Sequence, residues 1–278
     1  PFRNKAMATP AHSPQPMLDP AAVRAAVATH MAESHRRLDG QTQALGPLLL
    51  YSHPAFGWAF FNTARLIAPM TYAEGERLLP QVERYFRARG MRPAWEMLAS
   101  LAPADMADRL QIGGYTLERY ESLMVCAPTA APATPTALSP WEVRELGAAD
   151  VDVFLDTWRV AYGIAADTDP QPVRRLFLRD LDAGWRFWCA GRGRTMLGTL
   201  AAVSIDGVVE IANVGTIPAA RRQGVAGALV AHCLAEARRR GDHLAYLYAA
   251  VYSNAARLYA RHGFSAIDTL SAYSQETF

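Results

Sequence analysis

The segment Arg221-Arg222-Gln223-Gly224-Val225-Ala226-Gly227 has the residue types of an anion-binding turn. It follows an apolar run from Val208 to Thr216 and a chain-breaking Pro218. It opens a stretch in which Val225, Leu229, Cys233 and Ala237 recur at helical spacing. The first amides of a helix have no partner inside the helix and carry partial positive charge, so they can bind phosphate oxygens. Gly224, Ala226 and Gly227 allow close approach to the backbone. Arg221 and Arg222 bring full charges. A phosphate or pyrophosphate at residues 221–227 is the functional reading, and a helix that opens with small residues for packing is the plainer one. A dinucleotide turn fits poorly, because the first Gly of G-x-G-x-x-G is missing and Pro218 sits inside the turn.

The elements around this turn follow from pattern. Val208–Thr216 reads as a strand. The helix after the turn ends with Arg238, Arg239 and Arg240 in its last turn and Gly241 as its cap. Leu244–Val251 reads as the next strand. Asn254, Arg257, Leu258 and Tyr259 fall on a short helix, followed by Gly263-Phe264. Arg221-x-x-Gly224-x-Ala226, with Pro218 ahead of it and the Asn254 to Phe264 pattern after it, resembles the GNAT superfamily of acyl-CoA-dependent N-acyltransferases. Two motifs in the right order, joined by a helix and a strand of the right length, make the resemblance specific. It covers residues 141–278 firmly and 19–126 loosely.

The resemblance implies an α/β (α+β) GNAT fold, with a mixed, mostly antiparallel central sheet flanked by helices, and acetyl-CoA or another acyl-CoA as co-substrate. It implies that Val214, Gly215 and Thr216 lie beside pantetheine, with amides toward the thioester carbonyl. Arg221, Arg222, Gln223, Gly224, Val225, Ala226 and Gly227 would hold the pyrophosphate. Tyr259 would protonate the departing sulfur. A phenol suits that role, because a thiolate is basic enough to share its proton. Packing on a helix face is the other reading of Tyr259. Asn254 would cap its helix, help hold the cofactor, or both.

Acyl transfer to an amine also needs a group that removes the amine proton and a donor for the developing oxyanion. Glu210 is the candidate base. It stands six residues before Thr216, the spacing at which the histone-acetylating branch carries its base, and even spacing on a regular strand gives one face, which a bulge of the kind the resemblance implies in this strand would shift. An ordinary solvated strand Glu is the alternative. Asp206, His232, His243 and a water network are the other candidate bases.

Residues 1–18 read as a disordered lead or expression remnant. Asp19-Pro20 starts a helix running to about Leu38, with Val23, Val27, His30 and Met31 on its apolar side. A helical or irregular stretch carries Leu45–Leu50, and Gly57–Ala64 reads as a strand. A helix starts near Thr71, and Pro93–Leu98 reads as a short strand. A helix then runs from Pro103 to Gly113-Gly114, and Tyr115–Cys126 is a strand. This order echoes 208–278, with Gly114-Tyr115 where Gly263-Phe264 stands. The first copy carries Glu74 and Glu76 where the second has its glycines. Residues 19–126 are therefore expected to be a smaller, degenerate GNAT-like lobe without a cofactor site, with an unrelated α+β domain as the alternative. Residues 127–140, rich in Ala, Pro and Thr, read as a linker. Residues 141–278 read as the catalytic domain.

The chain has 278 residues and a formal net charge of +2, so neither bulk nucleic-acid nor membrane binding is indicated. Cys126, Cys189 and Cys233 have neither metal-ligand nor disulfide-framework spacing. No metal is expected, and the reduced thiols suit a cytoplasmic protein. Trp58, Phe60, Phe61, Trp185, Phe187 and Trp188 are a stock of aromatics that either line an acceptor pocket or pack a core. Two functions stand: an N-acetyltransferase acting on a small primary amine, as monomer or homodimer, and a non-catalytic acyl-CoA-binding sensor or interaction protein.

Overall fold

A computed structural model describes residues 19–131 and 140–275. The lead at 1–18 and most of the linker lie outside the described residues. The first half contains α1 (Pro20–Arg37), β1 (Gln41–Leu45), β2 (Leu48–Ser52), β3 (Thr63–Leu66), α2 (Tyr72–Arg87), β4 (Ala94–Leu98), α3 (Met106–Ile112) and β5 (Tyr115–Cys126). The second contains β6 (Glu142–Leu146), α4 (Val151–Tyr162), α5 (Gln171–Asp182), β7 (Arg186–Arg192), β8 (Thr195–Ile205), β9 (Val208–Thr216), α6 (Val225–Arg240), β10 (Leu244–Ala250), α7 (Asn254–Arg261) and β11 (Ser265–Gln275).

Local chemistry sets most boundaries. The Asp19 carboxylate accepts the Ala21 amide at 3.1 Å with Pro20 in the first turn, which starts α1. Asp206 and Gly207 both take positive φ, as the tight β8–β9 hairpin demands. Gly241 closes α6 in the left-handed conformation.

Two stretches differ from expectation. Leu45–Leu50 is neither helical nor irregular but spans the β1–β2 hairpin, which turns at Gly46 with φ 59°. Its apolar run is too short for periodicity to separate helix from strand. Gly57–Ala64 is not one strand, because a 3-10 turn occupies Ala59–Phe61. Asn62 explains this. Its amide donates to the carbonyls of Phe56 (2.6 Å) and Trp58 (3.0 Å), while its oxygen accepts the His53 amide at 2.8 Å. The side chain thus supplies the partners a strand neighbour would otherwise give.

All eleven strands form one sheet, in the order β1-β2-β3-β4-β11-β5-β10-β9-β8-β7-β6. The order is built on an exchange. β5 of the first half lies between β10 and β11 of the second, and β11 lies between β4 and β5 of the first. In each half a parallel pair follows a helical crossover: β3 with β4 across α2, and β9 with β10 across α6. A short helix and the exchanged strand come next in both. The echo read in the sequence is therefore a repeat of topology, with Gly114 (φ 80°) and Gly263 (φ 92°) at matching helix ends.

Alternation along the strands separates the second half's cores. Val209, Ile211, Ala245 and Leu247 pack with Val225, Leu229 and Cys233 of α6. Phe187, Cys189 and Ala201 pack with Phe154 and Phe177 of α4 and α5 on the opposite face. Val208, Leu244 and Tyr246 point to that same face, where they join the first half's core with Val23 and Val27 of α1. Helix α1 thus lies over the second half's strands.

Leu123 of β5 is fully buried in this shared core. Leu123→Ala is expected to cost about 2–5 kcal/mol. Because the sheet is continuous, unfolding should stay a single transition. Far-UV dichroism and the fluorescence of Trp95 and Trp188, buried in different cores, should shift together in a denaturant titration.

Candidate active site

The parallel strands β9 and β10 pair only at Val208–Leu244, Val209–Ala245 and Glu210–Tyr246. Beyond that point β9 stays with β8 and β10 stays with β5. A gap opens in the sheet between residues 211–216 and 247–250, lined by strand edges whose backbone groups have no ladder partner across it.

A bulge shapes the β9 edge. Ala212 opposes Ala201 and Gly215 opposes Thr199, so β9 carries one extra residue. Asn213 absorbs it with φ 53°, and its carbonyl accepts the Thr199 hydroxyl at 2.9 Å. The bulge reverses the alternation. Val214 joins Val209 and Ile211 on the α6 face, while Gly215 faces α4. The regular-strand argument that put Glu210 and Thr216 on one face therefore fails. A Cβ at Gly215 would lie 2.9 Å from the Tyr162 ring and from the Ala161 Cβ, so only glycine lets the end of α4 sit at the gap.

Helix α6 starts beside this edge. Arg222 (φ 62°) and Gly224 (φ 87°) take left-handed conformations on either side of Gln223. Such alternation turns successive amides toward one point and makes an anion-binding concavity. No side chain caps the helix and its first turn holds no acid. The first amide bonded back is that of Ala228, to the Gly224 carbonyl at 2.9 Å. A Cβ at Gly198 would come within 2.6 Å of Val225 Cγ1, so Gly198 is what seats the start of α6 on β8. Arg221 does not reach outward: its guanidinium donates to the carbonyls of Thr216 (3.2 Å) and Ala161 (3.1 Å), bolting the turn to α4. Arg222 is exposed. Trp141 Nε1 donates to the Gln223 carbonyl at 2.8 Å.

The equivalent helix of the first half is closed. Thr71 caps α2, and the Glu74 carboxylate accepts both the Thr71 amide and the Thr71 hydroxyl at 2.8 Å. This capping box places a carboxylate where α6 has bare amides.

Tyr259 projects from α7 and is 5% exposed. Its ring meets Phe264 edge-on, with centroids 6.0 Å apart. Its hydroxyl has no hydrogen-bond partner among the described residues, and burial, with Tyr162 nearby, pushes its pKa above the ordinary phenol. Ser253, not Asn254, caps α7: its hydroxyl accepts the Ala256 amide at 3.0 Å. Asn254 is the first helical residue, and its carbonyl oxygen accepts Arg257.

Glu210 sits at the vertex of the gap, on the face of α1 and α4. Tyr246 donates to Glu210 Oε2 at 2.9 Å. His30 Nδ1 lies 2.8 Å from the Tyr246 oxygen, and His30 Nε2 lies 3.3 Å from the Val203 carbonyl. Burial raises the Glu210 pKa, while burial lowers that of His30 to about 4. Asp180 of α5 is 9% exposed and its carboxyl has no hydrogen-bond partner among the described residues; burial and then Glu210 raise it well above the usual carboxylate. Sequence reasoning placed His30 on the buried side of α1 through its spacing from Val23 and Val27. Tyr246 and Asp180 gave no signal, since a strand Tyr and a helix Asp carry no motif.

The other candidates do not join this group. Asp206 forms the β8–β9 turn. His232 faces Glu236 at 3.9 Å and the Trp188 ring, and the His243 amide bonds the Gly207 carbonyl. The aromatic stock is divided: Trp58, Phe60 and Phe61 stack together, and Phe187 packs on Phe154 and Phe177. The three cysteines are free and buried, and burial pushes their thiols up to about 12. Among the described residues no cluster of three or more His, Cys, Asp or Glu could hold a metal, and no helix is long and apolar enough to cross a membrane.

Residues 151–264 match the family model "Acetyltransferase (GNAT) family". No curated protein matches the chain. Among solved structures, a GCN5-related N-acetyltransferase from Kribbella flavida is similar over 92% of this chain and 96% of its own, with TM-score 0.69 and 21% identity. One from Sphaerobacter thermophilus is similar over 91% and 92%, with TM-score 0.58 and 18% identity. A tandem GNAT protein from the clavulanic acid biosynthesis pathway is similar over 82% and 77%, with TM-score 0.51 and 14% identity. These likenesses establish the fold.

Asp180 yields a stability prediction. Its folded pKa is raised, so its neutral form is favoured by folding, and that contribution is lost as pH rises through the folded pKa. Asp180→Asn is expected to stabilise the protein at neutral and alkaline pH, with the gain vanishing under acid. Denaturant midpoints across pH check it, and equal midpoints for both proteins at every pH would refute it.

Proposed function

We propose, from the match of residues 151–264 to the acetyltransferase (GNAT) family model, that this chain transfers an acetyl group from acetyl-CoA to the primary amine of a small molecule by direct attack. The observation that carries the proposal is the bare start of α6, with Gly224 left-handed, opening beside the gap between β9 and β10. In this reading the amides of residues 223–227 and the Arg222 side chain receive the pyrophosphate. The edge Val214–Thr216 receives pantetheine and offers an amide to the thioester oxygen. Asn254 stands at the α7 side of the same gap.

Glu210 removes the proton from the amine. Its raised pKa suits a base working near neutral pH, and a carboxylate also attracts the acceptor as an ammonium ion. Tyr259, whose hydroxyl has no partner among the described residues, returns a proton to the leaving sulfur. Arg221 acts by holding the turn against α4. The first half binds no cofactor, because Thr71 and Glu74 already satisfy and neutralise the start of α2. The unpaired phenol at Tyr259 and the half-buried carboxylate at Glu210 favour an enzyme over a sensor, since binding alone needs neither. The acceptor is soluble and small in this reading, and the chain works in the cytoplasm as monomer or homodimer.

Isothermal titration of acetyl-CoA is expected to give one site per chain, and two sites would sink the assignment of the first half. Tyr259→Phe should lower kcat on a reactive amine by about 100-fold or more with acetyl-CoA affinity kept. Gly224→Ala should lose cofactor affinity, because a side chain there strains the left-handed backbone by about 1–2 kcal/mol.

A further inference from the structure

We infer that His30, Tyr246 and Glu210 hold their protons as one unit, in which the tautomer of the first-half histidine governs whether Glu210 is a carboxyl or a carboxylate. The inference rests on the proposed reading of Glu210 as the base and names His30 as its positioning residue. Its ground is a count of hydrogens. The chain of contacts runs from the Val203 carbonyl to His30 Nε2 (3.3 Å), from His30 Nδ1 to Tyr246 (2.8 Å), and from Tyr246 to Glu210 Oε2 (2.9 Å). Three contacts need three hydrogens. A neutral imidazole has one N–H and a phenol one O–H. With Glu210 ionised, only two hydrogens serve three contacts.

With Glu210 protonated all three are made. The carboxyl donates to the Tyr246 oxygen, Tyr246 donates to Nδ1, and Nε2–H donates to the Val203 carbonyl. Loss of the Glu210 proton reverses the chain, because the one imidazole hydrogen is better placed on Nδ1, 2.8 Å from Tyr246, than on Nε2, 3.3 Å from the Val203 carbonyl. Tyr246 then donates to the carboxylate, Nδ1–H donates to Tyr246, and the Nε2 lone pair faces the Val203 oxygen. The carboxylate is thus bought with one lost hydrogen bond and a change of histidine tautomer. The same three hydrogens could sit on an imidazolium facing a carboxylate, but His30 is 2% exposed and burial disfavours a charge there.

Other charges act on the unit. Glu210 feels Arg65 of β3, which favours the carboxylate, and Glu96 of β4, which opposes it. Asp180 of α5, Tyr51 of β2 and Tyr248 of β10 also face this cluster. His30 feels Arg37 of its own helix, Asp206 and Asp242. None of them supplies the missing hydrogen, because none bonds to His30, to Tyr246 or to Glu210.

The unit makes two substitutions act in opposite directions. His30→Leu removes the acceptor that competes for the Tyr246 hydrogen, so the phenol serves the carboxylate alone. The acid limb of kcat/KM, which reports the free protein, should move down by about one pH unit. Tyr246→Phe removes the donor to the carboxylate, and the limb should move up by a similar amount. A purely structural role for His30 would lower activity or stability and leave the limb in place.

Spectroscopy on the unmodified protein needs neither a variant nor a substrate. Nitrogen-15 NMR of the imidazoles should show His30 neutral, with its proton on Nε2, at the acidic side of the Glu210 titration. The proton should pass to Nδ1 in the same pH step in which the infrared band of the Glu210 carboxyl, identified by its loss in Glu210→Gln, disappears. A His30 that stays in one tautomer through that step, or that titrates as an imidazolium, would overturn the inference. Failure of acetyl-CoA to bind or react would instead count against the proposed function, and the spectra would still decide the proton unit.

Discussion

The antiparallel contact of β5 with β11 is the interaction on which everything else depends. Each strand belongs by sequence to one half and pairs only with strands of the other. The contact fixes where β10 stands, because β10 pairs with β5 from Ala245 to Ala250 but with β9 only from Leu244 to Tyr246. Held by the longer ladder, β10 cannot follow β9, and the gap that forms the candidate site is the result. The exchange also carries α1 across the second half, which is how a histidine near the start of the chain comes to lie beside Tyr246.

Two helices at equivalent places in the repeat show how little separates a binding terminus from a closed one. Both follow a strand and cross to its parallel neighbour. One opens with Thr71 and Glu74, whose side chains satisfy the free amides and cancel the local positive charge. The other opens with Gly224, whose missing side chain leaves the amides bare. The vertex residues differ as well. Arg65 and Glu96 pair with each other as an ion pair in the first half, where the second has Glu210 and Tyr246. Opposite charges neutralise each other, whereas a carboxyl beside a phenol keeps a proton to exchange.

Much of this was legible in the sequence because it is local. The strands at 115–126 and 208–216, the α6 turn and the glycine caps follow from side-chain type and short spacing. Residues 45–50 and 57–64 were misread because a short apolar run has no diagnostic period, and because Asn62 redirects the backbone through bonds that spacing does not reveal. The resemblance allowed for a bulge in β9, but no residue marked its place at Asn213, and so the true faces of Glu210 and Thr216 were not legible. The proton-holding group was out of reach for a different reason. His30, Glu210 and Tyr246 come from α1, β9 and β10: the β9–β10 pairing sets Glu210 beside Tyr246, and the packing of α1 over the second half's strands adds His30.

The exchange has a consequence for how the chain emerges from the ribosome. β4 and β5 cannot zip together directly, since β11 must come between them, and β11 is made well after both. While the second half is being synthesised, β4 keeps one edge unpaired and β5 lacks both of its partners, β10 and β11. Such edges template wrong pairings, and contacts so distant along the chain form slowly. The nascent first half is therefore the species most in need of a chaperone's protection. Slow translation through the β6–β10 region would lengthen its exposure.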